Sequence, residues 1–168
     1  IFDQSSLFQG LMTDEGSVSL CWLVELTEAA TIEVFKSAVE FWVVLLKTFN
    51  LESHKIQLPK EIVYRLQDIF IRKMAEPAEF ACFFPDEDNL INDTTFEENM
   101  RLSIVCLSNL ERENMIQLLL THLKNPSSSE EIVRTCWAIG AISGSIPNKD
   151  DEQQFLVEVM TTLGGYLN

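Results

Sequence analysis

The sequence predicts an all-α protein, built as a segment of a HEAT-repeat α-solenoid in which antiparallel helix pairs are stacked side by side. Three observations predict this fold class. Apolar residues recur at helical spacing along seven stretches of the chain. Strand-type alternation competes with that pattern only within the loop at residues 80–91. The helix pairs recur at intervals of about 40 residues, which is the length of a HEAT-type repeat.

Composition bounds the class of protein and of partner. The 168 residues are 46% hydrophobic, which is enough for a substantial core and argues against disorder. Twelve basic residues stand against 26 acidic ones, so the formal charge is −14. Such a surface repels nucleic-acid phosphates and anionic lipid and favours a basic partner. The longest apolar run, Phe41 to Leu46, is too short to cross a bilayer.

The first half of the chain predicts three helices. The chain begins with Ile rather than Met, so we expect a segment of a longer protein, and residues 1–16 are interpreted as a connection or the end of an earlier helix. A helix is expected from Ser17. The next, at 31–50, is the most strongly periodic, with apolar residues on one face and charged residues on the other. Pro59 suits the first turn of the third helix, which Pro77 ends.

A long break follows at residues 76–95. It combines three phenylalanines with three consecutive acidic residues: Phe80, Phe83, Phe84, Asp86, Glu87 and Asp88. Connections of this length without a clear helix are usually functional or mobile. A solvated acidic loop with its phenylalanines tucked underneath explains the composition equally well. The stretch from Phe80 to Phe84 is also compatible with a strand.

Four helices are predicted after the break. Thr94 and Thr95 each stand three residues before a glutamate, so each is a capping-box candidate. Ser128 and Asn148 are the predicted N-caps of the last two helices. Since stacked repeats bury their faces only against neighbours, we expect an open apolar surface at both ends of the array. The predicted domain is one array over residues 1–168, with helix pairs at about 17–50, 59–110 (carrying the loop 76–95) and 111–145, and a further first helix at 149–167.

The helix predicted at 134–146 contains two glycines among apolar residues. Gly140 and Gly144 lie four residues apart, so in a continuous helix they share a face. Each costs about 1 kcal/mol relative to alanine inside a helix. We therefore expect a neighbouring helix to approach closely there, or the helix to bend. A core helix of an ordinary all-α bundle explains the same pattern.

Motifs of enzymatic chemistry are absent from the sequence. It has no glycine-rich phosphate loop, no His-Glu-x-x-His and no Gly-x-Ser-x-Gly. Its four cysteines and two histidines lack the spacing of a zinc site, so we expect neither a metal nor a cofactor. His122 and Cys106 form a conceivable catalytic dyad, but no third residue is seen to orient them. The inventory favours a scaffold for protein interactions over an enzyme.

A family resemblance emerges near the end of the chain. The run from Cys136 to Gly144, the acidic Asp150-Asp151-Glu152 and the following Phe155-Leu156-Val157-x-Val159 resemble the exportin-one family of chromosome region maintenance receptors, in the karyopherin-β superfamily. Weaker similarities stand in the family's order at 33–36, 40–42, 72–77 and 98–101. Together the matches span most of residues 20–163.

The resemblance implies a fold and a function. The chain would run from the eighth HEAT repeat of a ring to the first helix of the eleventh. It would be part of a nuclear export receptor that binds leucine-rich export signals cooperatively with Ran-GTP. Such a receptor carries cargo proteins past nuclear pore proteins, shuttles between nucleus and cytoplasm, and needs no direct nucleic acid and no membrane. Another HEAT or armadillo scaffold or adaptor, without a transport role, is the alternative.

The resemblance also implies a groove for the export signal. The last helix would form one wall, with Met160, Gly164 and Leu167 at groove-lining positions, and the next repeat would supply the other wall. These three residues share one helix face. Without the resemblance, packing of Met160 and Leu167 on the next repeat is the simpler interpretation. The family usually has a bulky aliphatic residue where Gly164 stands, so we expect a locally shallow groove. Its inhibitor-reactive cysteine aligns with Leu167, so thiol-reactive inhibitors should find no target there.

The acidic break has a counterpart in the family as well. The family's long ninth-repeat connection contacts Ran-GTP and braces the groove from behind. Residues 80–93 take that place but form a shorter segment. Only this general role is implied for Phe80, Phe83 and Phe84, whereas Asp86, Glu87 and Asp88 are expected to meet a basic surface of Ran.

Overall fold

The computed structural model describes residues 14–51, 57–74 and 90–166. Within these ranges it has seven α-helices and no strand, which confirms the predicted all-α solenoid segment. The helices are α1 (Asp14–Ala29), α2 (Ile32–Leu51), α3 (Lys60–Arg72), α4 (Leu90–Leu110), α5 (Arg112–Lys124), α6 (Ser129–Ile142) and α7 (Lys149–Gly165). None of these described helices is both long and apolar enough to cross a membrane.

The helices lie in two layers. One layer contains α1, α3, α5 and α7, each in contact with the next, and the other contains α2, α4 and α6 in the same relation. Across the layers α1 packs on α2, α3 on α4, and α5 on α6. Each antiparallel pair therefore rests on the following pair, and the apolar core is continuous from α1 to α7.

The core forms because each helix turns one apolar face inward. Five apolar residues of α2 recur at helical spacing and are fully buried: Phe35, Val39, Trp42, Leu46 and Phe49. The indole Nε1 of Trp42 donates to Thr27 Oγ1 of α1 at 2.8 Å. The ring of Phe35 meets those of Phe70 in α3 and Phe96 in α4 edge to face. These contacts fix α2 against three other helices.

A buried amide joins α3 to the end of α4. The side chain of Gln67 is completely buried, and its Nε2 donates to the carbonyls of Leu107 at 3.0 Å and Glu111 at 2.8 Å. Its Oε1 accepts from Asn114 Nδ2 at 2.6 Å. Both carbonyls also accept a backbone amide, from Glu111 and Met115 respectively, so Gln67 adds a tie from α3 to the junction between α4 and α5.

Two predicted helix starts are confirmed and two are wrong. Ser128 Oγ accepts from the Glu131 amide at 3.2 Å, and Asn148 Oδ1 accepts from the Asp150 amide at 3.1 Å, so both predicted N-caps form. The capping boxes at Thr94 and Thr95 are wrong, because α4 begins at Leu90.

The early start of α4 changes the predicted loop. Residues 90–95, assigned to the break at 76–95, are helical. Asn, Asp and Thr favour caps and turns when considered locally, but packing of α4 against α2 and α6 overrides that preference. Likewise α1 begins at Asp14, so residues 14–16 are helical rather than a connection. The alternative strand at 80–84 lies outside the described residues.

The predicted close packing across Gly140 and Gly144 is also wrong, because the helix ends between them. Residues 142–145 form a type II turn: Ser143 has φ −58° and ψ 132°, Gly144 has φ +80°, and the Ser145 amide donates to the Ile142 carbonyl at 3.0 Å. Gly140 is exposed, and a Cβ added to it would meet nothing within 4 Å. One glycine is therefore needed by a turn, and the other is not in close contact.

The two glycines make a matched pair of substitutions. Gly144→Ala should lower the free energy of unfolding by about 1–2 kcal/mol, because an L-residue is strained at positive φ. Gly140→Ala should raise it by up to about 1 kcal/mol, since alanine is the better helix former and has room. Urea unfolding of both variants would measure this. Equal effects of the two substitutions would contradict the turn.

Candidate functional site

The last helix has one face inside the core and another facing solvent. Phe155 and Val159 are buried, while Leu156, Val157 and Met160 are 36%, 59% and 68% exposed. Leu156 and Met160 stand one turn apart on the same side. We call these three exposed residues the α7 strip. Grouped exposed apolar side chains with a polar border are typical of a binding surface.

The α7 strip contains one predicted groove residue and lies beside a second. Met160 is its most exposed member. Gly164 follows one turn later and is half-buried, and a Cβ added there would meet nothing within 4 Å, so the surface is notched after Met160. The third predicted residue, Leu167, lies outside the described residues and stays a prediction.

The predicted Ran-facing residues have no structural test. Phe80, Phe83, Phe84, Asp86, Glu87 and Asp88 all lie outside the described residues. Their proposed role therefore rests on the sequence alone.

A shallow depression runs along the α7 strip. Its volume is about 470 Å³, and the strip shares its lining with four polar or charged residues: Lys149, Glu152, Gln153 and Thr161. An apolar floor with a polar rim suits an amphipathic helix that presents alternate apolar turns. The shape is that of one side of a groove rather than an enclosed pocket.

Side chains and backbone of neighbouring elements hold α7 along its length. Lys124 Nζ of α5 lies 2.6 Å from Glu158 Oε1 near the middle of α7. The hydroxyl of Tyr166, just after the helix, donates to the Leu123 carbonyl of α5. At the start, Glu152 accepts from the backbone amide of the turn before α7. These contacts join residues up to 43 positions apart, so no local sequence pattern predicts them.

Comparisons with known proteins match this part of the chain and most of the rest. The family model described as CRM1 / Exportin repeat 3 matches residues 127–165, which include α6, the turn and the whole α7 strip. Exportin-1 of Dictyostelium discoideum is 30% identical over 166 residues, covering 84% of this chain and 15% of the relative. Exportin-1 of Drosophila melanogaster is 29% identical over 174 residues, covering 88% of this chain and 16% of the relative. The Arabidopsis thaliana protein EXPORTIN 1A is 30% identical over 119 residues, or 64% and 11% respectively.

The chain belongs to the exportin-1 family. It spans about 15% of the length of these exportin-1 relatives. The predicted resemblance is thereby confirmed, and the repeat-model match places the α7 strip within a repeat typical of the family.

A charged cluster that sequence reasoning missed is centred on α5, the helix that holds α7. His122 of α5 is half-buried between two carboxylates. Its Nε2 lies 2.9 Å from Asp68 Oδ1 of α3, and its Nδ1 lies 2.7 Å from Glu131 Oε1 of α6. We call Asp68, His122 and Glu131 the histidine cluster. It connects three helices.

Hydrogen bonds within the histidine cluster favour its charged forms. The bond to Asp68, aided by that to Glu131, raises the pKa of His122 although partial burial opposes it. The bond from His122 holds the pKa of Asp68 below its usual value. Hydrogen bonds from Ser127 and then from His122 lower the pKa of Glu131 to about 2. Near neutral pH both carboxylates are therefore ionised, and His122 is biased toward the imidazolium form.

The dyad of His122 and Cys106 is wrong. Both ring nitrogens of His122 face carboxylates, and Cys106 is buried, which raises the pKa of its thiol. Among the residues that the structure describes, no group of three or more His, Cys, Asp or Glu side chains is arranged to hold a metal ion.

Exposed apolar side chains also lie on α1 and α2, at the other end of the array. Trp22 and Leu26 are each 64% exposed, and Phe41 and Val44 are exposed as well. The two ends of the described array thus both present apolar surface, as the stacked-repeat interpretation expects. Leu26 resembles Met160 in size and exposure but lies far along the array, which makes it a useful control position.

Proposed function

We propose that this chain is a central segment of a nuclear export receptor, and that the α7 strip forms one wall of its groove for leucine-rich export signals. The observation that carries the proposal is the exposure of Met160 beside Leu156 on a helix whose opposite face is anchored in the core. Family membership supports the transport role. A helix-in-groove contact is the binding mode that the strip suits.

The proposal extends to partners and location. The receptor would bind Ran-GTP and cargo together, contact nuclear pore proteins, and shuttle between nucleus and cytoplasm. Met160, Gly164 and Leu167 would line the wall, and the acidic residues Asp86, Glu87 and Asp88 would face a basic surface of Ran. The formal charge of −14 supports a basic protein partner and disfavours nucleic acid and anionic membrane. The protein would act by binding, without catalysis and without a cofactor.

Met160→Glu tests the groove wall. A carboxylate in the middle of an apolar wall must lose water when the signal docks, which is costly without a partner charge. In the full-length receptor we expect the affinity for a fluorescent leucine-rich signal peptide, with Ran-GTP present, to fall at least tenfold, a loss of about 1.4 kcal/mol or more. Fluorescence anisotropy measures it.

Leu26→Glu is the matched control. Leu26 is 64% exposed against 68% for Met160 in the described array, so both substitutions place a carboxylate at an equally exposed apolar position of this segment, and the unfolding of each variant is measured beside its peptide affinity. Peptide affinity should be unchanged in this control. Equal affinities of the two variants would refute the α7 wall. Failure of the unaltered receptor to bind signal peptide or Ran-GTP would favour the alternative, a HEAT or armadillo scaffold without a transport role.

A further inference from the structure

The histidine cluster has a geometry that only a charged imidazole can satisfy. Oxygen atoms of Asp68 and Glu131 lie within hydrogen-bond distance of the two ring nitrogens of His122. An imidazolium donates through both nitrogens, whereas a neutral imidazole donates through one and presents a lone pair with the other. Deprotonation therefore sets that lone pair against one of the two carboxylates. The cluster has one well-bonded state, and it is the protonated one.

The cluster adjoins the residues that hold α7. His122, Leu123 and Lys124 are consecutive at the end of α5. His122 binds α3 and α6, the Leu123 carbonyl accepts from Tyr166, and Lys124 pairs with Glu158 of α7. A single turn of α5 thus ties α7 to the preceding helices. Whatever loosens this turn also loosens the attachment of α7.

We propose that His122 is a pH-responsive positioning residue for α7, which keeps the α7 strip fixed relative to α3 and α6 while it is protonated and releases it in part when it loses its proton. The effect on α7 stands on the geometry of the described residues. Its consequence for export-signal binding rests on the proposed function.

The charged groups around His122 define which part of the cluster titrates. From α3, Asp68 faces it, and Asp68 Oδ2 also accepts from Arg72 Nε at 2.7 Å. From α6, Glu131 faces it, while Arg134 binds the Arg72 carbonyl and lies 3.5 Å from Glu130. Both carboxylates keep other hydrogen-bond partners when the imidazole is neutral. The change is therefore confined to the link that His122 makes.

The direction of the pH effect follows from the raised pKa of His122. A group whose pKa is higher in the folded than in the unfolded chain stabilises the fold fully below its unfolded value, about 6.5. That contribution is lost as the pH rises through the folded value. The carboxylates act oppositely, since their lowered pKa values stabilise the fold above their unfolded values and lose effect only at strongly acidic pH. Above about pH 6, His122 alone changes the cluster.

Two substitutions fix the cluster in its two states. His122→Arg keeps a cation that donates through several N–H groups at any accessible pH. His122→Gln has one donor and one acceptor end and no charge. Hydrogen–deuterium exchange of residues 149–166 should be compared among wild type and both variants at the same pH, which removes the intrinsic pH dependence of exchange. We expect wild type to match the Arg variant at about pH 6 and to approach the Gln variant at about pH 9. At about pH 9, exchange in wild type should be about fivefold faster than in the Arg variant.

A binding measurement separates this inference from the proposed function. In the full-length receptor, affinity for the signal peptide should fall about fivefold between about pH 6 and pH 9 in wild type and stay level in His122→Gln. A wild-type exchange profile that follows neither variant, or that stays constant relative to both, overturns the positioning role. If the Arg variant does not fold, the comparison of wild type with Gln still decides. If exchange behaves as expected but no peptide binds at any pH, the proposed function fails and the positioning role stands.

Discussion

Trp42→Ala is expected to lower the free energy of unfolding by about 3–5 kcal/mol. Trp42 is completely buried between helices of both layers, and its indole N–H donates to Thr27. Truncation removes the largest buried side chain of the core, leaves a cavity, and takes away a partner of a buried hydroxyl. Since whole domains are stable by only about 5–15 kcal/mol, the loss should be obvious in urea unfolding followed by circular dichroism.

Trp22→Ala controls for the change of residue type. Trp22 is 64% exposed on α1, so its truncation should cost less than about 0.5 kcal/mol. The two substitutions are chemically identical and differ only in burial. A small effect at Trp42, or one as large at Trp22, would contradict the packing of Trp42 between α2 and α1.

The same two tryptophans show what sequence patterns reveal and what they leave open. Helical spacing predicts both helices, because apolar residues recur every three or four positions. Trp42 belongs to a stripe with a charged opposite face, so its burial follows directly. Helix α1 has apolar residues on several sides, and only its neighbours decide that Leu20 and Val24 are buried while Trp22 is exposed.

Met160 was identified differently. The spacing of Phe155 and Val159 indicates an inner face of α7, but an exposed methionine by itself has no functional meaning. The family resemblance supplied that meaning, and the structure adds that Met160 is exposed in a strip with Leu156 and Val157. The structure thus shows that Met160 is exposed, whereas its role in an export-signal groove remains a proposal.

Contacts between distant positions were beyond sequence reasoning. His122 and Asp68 are 54 residues apart, and nothing in either local pattern indicates that they meet. The capping signal at Thr94 failed for a related reason, since local preference for a cap lost to tertiary packing of α4. Gly144 was assigned to a helix because glycine occurs both in helices and in type II turns. Only the positive φ of Gly144 distinguishes the turn from a continued helix.

These long-range contacts matter for the candidate site because the orientation of the α7 strip depends on the helices that hold α7 in place. Helix α7 is held by α5, α5 is held by α3 through His122 and Asp68, and α3 is held by α4 through Gln67. In a solenoid each repeat contacts only its neighbours, so orientation passes along such links in series. Substitutions at a buried link should therefore disturb the fold more than substitutions on the strip itself.

Gln67→Glu is expected to lower the free energy of unfolding by about 3–5 kcal/mol at neutral pH. The substitution keeps the shape of the side chain but replaces the Nε2 donor with an oxygen. That oxygen would face the carbonyls of Leu107 and Glu111, now 3.0 and 2.8 Å from the amide nitrogen, in a completely buried site. Asn114 Nδ2 would still donate to one carboxylate oxygen, but the other would face two carbonyl oxygens, so the introduced group should fold preferentially in its protonated form.

That preference gives the variant a pH dependence that identifies its cause. The folded pKa of the introduced carboxyl group should lie above its unfolded value of about 4.3, so stability is greatest below that value and is lost as the pH rises through the folded pKa. Gln67→Leu removes all three hydrogen bonds of Gln67, at about 1 kcal/mol each, without adding an ionisable group. Its loss of about 3 kcal/mol should be the same as the pH rises from about 4 to 8, relative to wild type. A similar pH-independent loss of stability in both variants would show that the introduced carboxylate reaches solvent. The contact between α3 and the end of α4 would then be too loose to keep the side chain of residue 67 buried.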